Sequence, residues 1–473
     1  MYASVLIDFI RFLDRPINPN DNRDKDMLKS LSDIFRVPEL RKKVIFTLLI
    51  IVAYRIGATV PIPGINSEAV KSLFAAQSNG LLGFLDMFSG GALNRMSVFS
   101  MGIMPYINAS IIMSLLQGAH IIPYLDRLAK EGEQGRKKLT QITRYGTLVL
   151  GAIQSFGLTM AITKLPTPSG VPIVVDPSWS WIALTGTTLV TGTVLIMWLG
   201  EQVTERGIGN GISIIIFSGI VERLPHAVMS VIKLVQMEEL SILFALTLTA
   251  IVAAVLIIVV WVETAQRRIP IHYAKKMVGR KTYGGQTSFL PIKVDQSGVI
   301  AVIFSMSILS APLTIAQFAP DWTMFGYPLA KKIMEWFNGS SVIYSLVYAF
   351  LVIFFCYFYN SISFNPKDLA ENMKKSGGFV PGIRPGEPTS NYIQKVLERV
   401  TLGGALFVAA IAVLPDYLRS AMSAPFFFGG TSLLIVVGVA LDTVGQIESH
   451  LIMRHYDGFM KEGRIKGRWF NIK

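Results

Sequence analysis

Between Leu240 and Val262 the chain runs for 23 residues without a charged side chain, and between Ala183 and Gly200 for a further 18. Such a run satisfies its backbone in lipid only as a helix, and roughly 20 residues carry a helix across a bilayer. The runs therefore predict a polytopic helical membrane protein. Composition agrees: 16% of the 473 residues are charged, against about 25% in an average soluble chain. Ten spans can be delimited, at about 44–60, 81–117, 145–162, 181–200, 211–235, 240–262, 298–319, 341–360, 400–414 and 425–441.

Charge placement orients them. With the N-terminus inside, the inner segments carry 35 Lys and Arg and the outer segments 7. The positive-inside rule then puts both termini in the cytoplasm. An odd number of spans per half gives two halves of opposite orientation, the layout of inverted repeats around a midplane path. The expected division is a cytoplasmic arm at 1–43, an N-terminal half at 44–238, a C-terminal half at 239–450 and a basic tail at 451–473. In the arm, Leu28, Leu31, Ile34 and Phe35 share one helical face, which fits a helix lying on the membrane surface. The opening MYASVLIDFIRFLDR has Asp8 and Arg11 inside its apolar stretch and no small-residue cleavage site. It predicts no cleavable signal peptide.

The second span is anomalous. LLGFLDMFSGGALNRMSVFSMGIMPYINASIIMSLLQ, from Leu81 to Gln117, is 37 residues long and contains Asp86, Gly90-Gly91, Asn94 and Arg95. The glycines predict a break, with a short apolar stub before it and a continuing helix after it. Asp86 and Arg95 are then expected near water rather than in lipid.

Two inner loops, 263–296 and 361–399, carry structure as well as charge. The first is rich in basic residues with β-branched and aromatic residues between them, and its Gly284-Gly285 reads as a hairpin tip. In the second, Asn365 can cap a short helix, Pro366 suits its first position, Lys374 and Lys375 its last turn and Gly377 its exit. The following PGIRPG presents Arg384 on a stiff turn. Positive charge alone serves topology and docking equally. Topology needs no ordered shape, so the caps and Pro-Gly pairs favour a docking surface for something large.

Catalytic signatures do not emerge. The sequence has no HExxH, GxSxG or Walker-type loop. GIGNG at Gly207–Gly211 joins two spans and reads as a tight turn. The five histidines are scattered and Cys356 is alone, which points away from a metal site, a disulfide or any cofactor. The spans hold neutral polar residues such as Ser155, Thr185, Ser305, Ser307 and Ser310, for which helix packing is the default role. Coupling carboxylates of a secondary transporter are missing from most spans.

Several long stretches together resemble the bacterial SecY family of protein-translocase channel subunits: MFSGGALNRMSVFSMGIMPYINASIIMSLL (87–116), EGEQGRKKLTQITRYGTLVL (131–150), MWLGEQVTERGIGNGISIIIFSGIV (197–221), KKSGGFVPGIRPGEPTSNYI (374–393) and PFFFGGTSLLIVVGVALD (425–442). The resemblance covers nearly all the chain beyond about residue 30. It implies ten transmembrane helices around a central hourglass pore that passes unfolded polypeptides and releases membrane helices laterally into lipid. It implies a plug at about 81–95, including Leu82, Phe84, Leu85, Met87, Phe88, Gly90, Gly91 and Arg95. A pore ring of Ile103, Ile107, Ile212, Ile216, Ile303 and Ile435 follows from the flanking motifs, with Ala301 where the family often has proline. A lateral gate lies between the second-third and seventh-eighth spans. Arg267, Arg268, Lys275, Lys276 and Arg384 match the platform for the ribosome or the motor ATPase SecA. SecE and SecG are the implied membrane partners, signal peptides and nascent chains the clients, and the bacterial inner membrane the location.

Overall fold

The computed structural model describes residues 37–462 apart from 77–85, 87, 119–121, 165–171, 175, 239, 274–275, 279–280, 284–286, 319–322, 325–326, 329–331, 334–335, 337–340 and 423–429. The surface helix expected at 28–35, the plug residues Leu82, Phe84, Leu85 and Met87, Lys275 and the tail beyond 462 lie outside the described residues.

Helix α1 (Pro38–Thr59) starts on proline, whose missing N–H costs nothing at a first helical position. Helix α2 (Ser67–Ala76) follows. The chain from 89 to 103 is a series of turns, and only at Met104 does α3 (Met104–Gly118) begin. Then come α4 (Pro123–Lys130), α5 (Glu133–Lys164), α6 (Trp179–Arg206) and α7 (Gly211–Gln236). GIGNG is the expected tight turn: Asn210 Oδ1 accepts from the N–H of Ile212 at 3.2 Å and caps α7. This turn also ties α7 to a distant part of the chain, because the N–H of Gly209 donates to Gln446 Oε1 at 2.8 Å.

Next come α8 (Ile242–Thr264), strands β1 (Gln266–Tyr273), β2 (Lys276–Val278), β3 (Lys281–Tyr283) and β4 (Thr287–Lys293), and α9 (Val299–Phe318). Beyond β5 (Thr323–Met324) and β6 (Tyr327–Pro328) come α10 (Val342–Ser363), α11 (Pro366–Lys375), β7 (Gly378–Phe379), α12 (Glu387–Met422) and α13 (Gly430–Glu462). Among the described residues seven helices are long and apolar enough to cross a membrane: α5, α6, α7, α8, α10, α12 and α13. Helix α1 carries Lys42, Lys43 and Arg55, α3 is only 15 residues long, and the apolar stretch of α9 is short, Val299–Ser310. On the long apolar helices large apolar side chains stay bare: Leu243 and Leu246 of α8 and Phe350 of α10 are all well exposed.

The all-α expectation needs one correction. Strands β4, β1 and β7 form a sheet, with β1 antiparallel to both neighbours. The two loops that the sequence separates by about a hundred residues are therefore one body, since His272 pairs with Phe379 of the second loop. The hairpin tip is also corrected. Lys276 pairs with Tyr283 and Val278 with Lys281, so the chain reverses between Val278 and Lys281 rather than at Gly284-Gly285. The register overrides the glycine signal because β2–β3 continues the pairing frame of β1–β4 without a slip.

Here, unlike in lipid, burial from water drives packing. Ile269, Ile271 and Ile292 of the sheet meet Met373, Ile393 and Leu397 of α11 and α12 in a separate apolar core. Helix α12 carries this core into the membrane: its 36 residues make roughly 54 Å at about 1.5 Å per residue, well beyond the roughly 30 Å of hydrocarbon. Its fully buried Ile393 makes a direct check. Ile393→Ala is expected to destabilise this body by about 2–5 kcal/mol, seen as faster protease cleavage within 263–296 while the transmembrane part stays resistant.

Candidate functional site

Of the six isoleucines expected to form a collar, Ile103, Ile107, Ile216, Ile303 and Ile435 are buried members of one apolar cluster. Ile212 is half-buried and packs against it. They come from four places: the entry to α3, the first turns of α7, α9 and α13. Ile103 stands just outside its helix, and its carbonyl accepts the N–H of Ile107 at 3.1 Å. Helix α9 is placed by Asp295, whose carboxylate accepts from the N–H of Gly298 at 2.8 Å and from Ser297 Oγ at 3.0 Å. Burial pushes that carboxyl above its usual range, against these hydrogen bonds. Ala301 is fully buried and continues a regular helix, its carbonyl accepting from Ser305 Oγ at 2.7 Å. The six isoleucines themselves offer only aliphatic surface, which can seal by dewetting but bind no polar ligand tightly.

The broken stretch from Phe88 to Phe99 packs directly on this cluster. Phe88, Ala92 and Phe99 belong to it, while Leu93 and Met96 turn the other way into a second apolar group with Val70, Leu73 and Phe74 of α2. The break falls where the glycines predict it. Gly90 and Gly91 adopt φ of 63° and 78°, a left-handed region that side chains resist. A β-carbon on Gly90 would also stand 2.9 Å from the Tyr54 hydroxyl and 3.0 Å from the Gly219 backbone. The peptide groups released by the break find partners. Val98 N–H donates to the Val60 carbonyl at 3.1 Å and Ile62 N–H to the Met96 carbonyl at 2.9 Å. Ser89 Oγ takes the N–H of Leu93 at 3.1 Å, Asp86 Oδ1 that of Asn94 at 2.8 Å, and the Tyr54 hydroxyl donates to the Ser89 carbonyl at 2.9 Å.

Charge completes the seat. Arg55 of α1 donates to the Gly90 carbonyl at 3.1 Å and also binds Glu222 and the Ser218 carbonyl of α7. Arg223 of α7 donates to the Asp86 carboxylate. Arg95 reaches Glu222 at 3.8 Å. The expectation that Asp86 and Arg95 both face water is thus half corrected. Arg95 is half-exposed, but Asp86 is buried, because Arg223 and the peptide of Asn94 supply inside the protein what water would supply outside. Tyr54, Glu222 and Arg223 had no role in the sequence reading. Two adjacent charges in the middle of an otherwise apolar helix are the signal that the sequence offers for Glu222 and Arg223.

The sheet joins the two basic loops that carry the expected docking residues. Arg267 and Arg268 are exposed on β1, and Arg384 is exposed on the turn after β7, with Gly382 and Gly386 at φ of 79° and 108°. Thr389 Oγ1 pins that turn by donating to the Arg384 carbonyl at 2.8 Å. Lys276 lies in β2. The caps of α11 are as expected: Asn365 Oδ1 accepts from Lys367 N–H at 3.1 Å, and Gly377 leaves at φ 72°. On the flank of the bundle α9 packs against α3, α5 and α10, and Gly118 of α3 lies beneath Phe358 and Ile362 of α10. Ser155, Thr185, Ser305 and Ser307 are buried between helices, the packing role rather than a wet lining.

A SecY family model matches residues 97–444. The chain is 46% identical over 429 residues to the protein translocase subunit SecY of Escherichia coli K12, covering 91% of this chain and 96% of that one. It is 43% identical over 436 residues to the protein translocase subunit SecY of Aquifex aeolicus, covering 92% and 100%. Among solved structures it is similar to a protein-conducting channel, with TM-score 0.63 and 16% identity over 90% of this chain and 95% of that one. A second, from work on how the SecY plug domain stabilises the closed translocation channel, has TM-score 0.62 and 18% identity over 90% and 95%. Sec61 in a canine ribosome–channel complex has TM-score 0.57 and 16% identity over 90% and 95%.

The seat is testable without assuming its purpose. Gly90→Ala forces a left-handed alanine against Tyr54 and is expected to weaken the seat by about 1–2 kcal/mol or more. A cysteine placed at the buried Ser89 is then expected to react with a membrane-impermeant maleimide faster in the Gly90→Ala background than in the parent.

Proposed function

The chain belongs to the SecY family of protein translocase subunits, and on that premise we propose that it is a gated protein-conducting channel with a plugged resting state. It is a multi-pass membrane protein, and its likeness to protein-conducting channels extends over nine-tenths of its length. The observation that carries the gating reading is the seating of Phe88 and Ala92 in the same apolar cluster as Ile103, Ile107, Ile216, Ile303 and Ile435.

In this reading the seven long helices with α1, α3 and α9 make ten spans, in two five-helix halves of opposite orientation, divided near residue 238. Charge placement supports cytoplasmic termini and, with the bacterial relatives, an inner-membrane location. The isoleucines form an hourglass collar. A passing polypeptide presents every kind of side chain, so a polar site would stall it; an apolar collar holds nothing tightly and can widen around each residue. The stub before the break is the plug, which leaves when a chain enters. Signal sequences and membrane helices leave sideways where α3 and α5 meet α9 and α10, and the contact of Gly118 with Phe358 and Ile362 supports a closed gate. The basic body bearing Arg267, Arg268, Lys276 and Arg384 is the docking platform, with Lys275 beside it in sequence. The ribosome is the partner best supported, since a related channel has been seen on one. SecA as alternative motor, and SecE and SecG as neighbours, follow from the family. The chain itself supplies a path, not catalysis.

Two measurements test this. Arg384→Glu is expected to slow precursor secretion about tenfold, the order of one lost charge-assisted contact, while the protein stays inserted; normal secretion would remove the docking role. Deleting 82–94 is expected to raise resting ion permeability in reconstituted vesicles, and an unchanged permeability would remove the plug.

A further inference from the structure

The charges around the break exceed what turning the chain requires. Gly90, Gly91 and the backbone pairings already account for the turn. Yet five ionisable side chains from three elements converge here: Arg55 on α1, Asp86 and Arg95 on the plug stretch, Glu222 and Arg223 on α7. Their burial is graded. The Asp86 side chain is 7% exposed and Arg223 29%, whereas Glu222 is 31% and Arg95 48% exposed. Each plug charge is met by an opposite charge on α7, and Arg55 ties both the plug backbone and α7 to α1.

We infer that Asp86, Arg55, Glu222 and Arg223 form an ionic latch that holds the plug against α1 and α7, and that Glu222 and Arg223 are positioning residues for gating. The inference rests on the plug reading. The placement couples latch to collar. Glu222 follows Ile216 by six residues on the same helix, about 9 Å along its axis. Motion of α7 that widens the collar therefore also moves the residues that grip the plug.

The energetics suit a gate. Burying a charge pair costs desolvation that its attraction only partly returns, so the intact pair contributes little net stability. When the plug leaves, both charges regain water, and release is not prohibitive. Removing one partner is different, because the other stays buried without compensation. A latch of this kind is non-additive: losing one charge opens it more than losing both or exchanging them. Packing alone has no such pattern.

The experiment uses the full chain reconstituted with its partner subunits in proteoliposomes, with resting chloride permeability as readout. Membrane insertion and protease resistance control for folding. Arg223→Gln and Glu222→Gln are each expected to raise permeability about tenfold, the order of one charge-assisted contact. The double variant Asp86→Asn with Arg223→Gln, and the exchange Asp86→Arg with Arg223→Asp, are each expected to leak less than Arg223→Gln alone. Higher salt is expected to increase the leak through the Arg95–Glu222 contact, which solvent reaches. Single variants that stay tight, while deletion of 82–94 leaks, overturn the latch and leave the plug standing. Deletion that stays tight overturns the plug itself. Single variants that leak no more than the double and exchanged variants reduce the charges to packing and overturn the ionic assignment.

Discussion

A polypeptide that stops being a helix inside a membrane must find a partner for every peptide group it releases, because lipid offers none. The stretch from Ser89 to Ile103 sets this demand, and its surroundings answer it. The chain after α1 lies antiparallel to it, bridging Pro61 and Ser97. Ser89, Ser97 and Ser100 turn their hydroxyls back onto local backbone. Tyr54 and Arg55 reach the carbonyls that remain. The features grouped around the break are the conditions under which a broken span can exist in a membrane.

The same chain solves a different problem in each solvent. Within the membrane, leaving lipid for another helix gains little, so contact depends on close fit and on polar ties such as the hydrogen bond between the Tyr348 and Thr431 hydroxyls at 3.1 Å. If the isoleucine cluster is the collar proposed above, its apolar surface lets it close against ions without gripping a passing chain. In the body built from the two basic loops, Ile269, Ile292 and Ile393 are held by burial from water, and the exposed arginines ride on that frame. Helix α12, whose N-terminal turns belong to that body and whose later turns are apolar enough to cross a bilayer, links the body mechanically to the bundle.

Much of this was legible in the residues. Charge-free runs marked the long apolar helices α6 and α8. Gly90-Gly91 marked the break, and Asn365 with Gly377 bounded α11, because each signal is local and has one physical cause. What escaped was long-range or conditional. Nothing near Gly378 announces that two residues will add a strand to β1. Gly284-Gly285 looked like a hairpin tip because glycine is a permissive signal, whereas register belongs to two strands at once. Asp86 was expected to seek water because its partner, Arg223, lies 137 residues away. The collar isoleucines have the least local signal of all: isoleucine is ordinary in a span, so family resemblance chose them and the fold then gathered them.

The central claim is that polypeptide passes through the isoleucine collar. A photoreactive residue at position 107 or 216, with a secretory precursor stalled halfway by a folded domain at its end, tests it most directly. The account predicts crosslinks from both positions to the precursor, appearing with stalling and vanishing when the chain is released. Precursor that instead crosslinks only to lipid-facing positions such as 243 or 350, and not to 107 and 216, would contradict it.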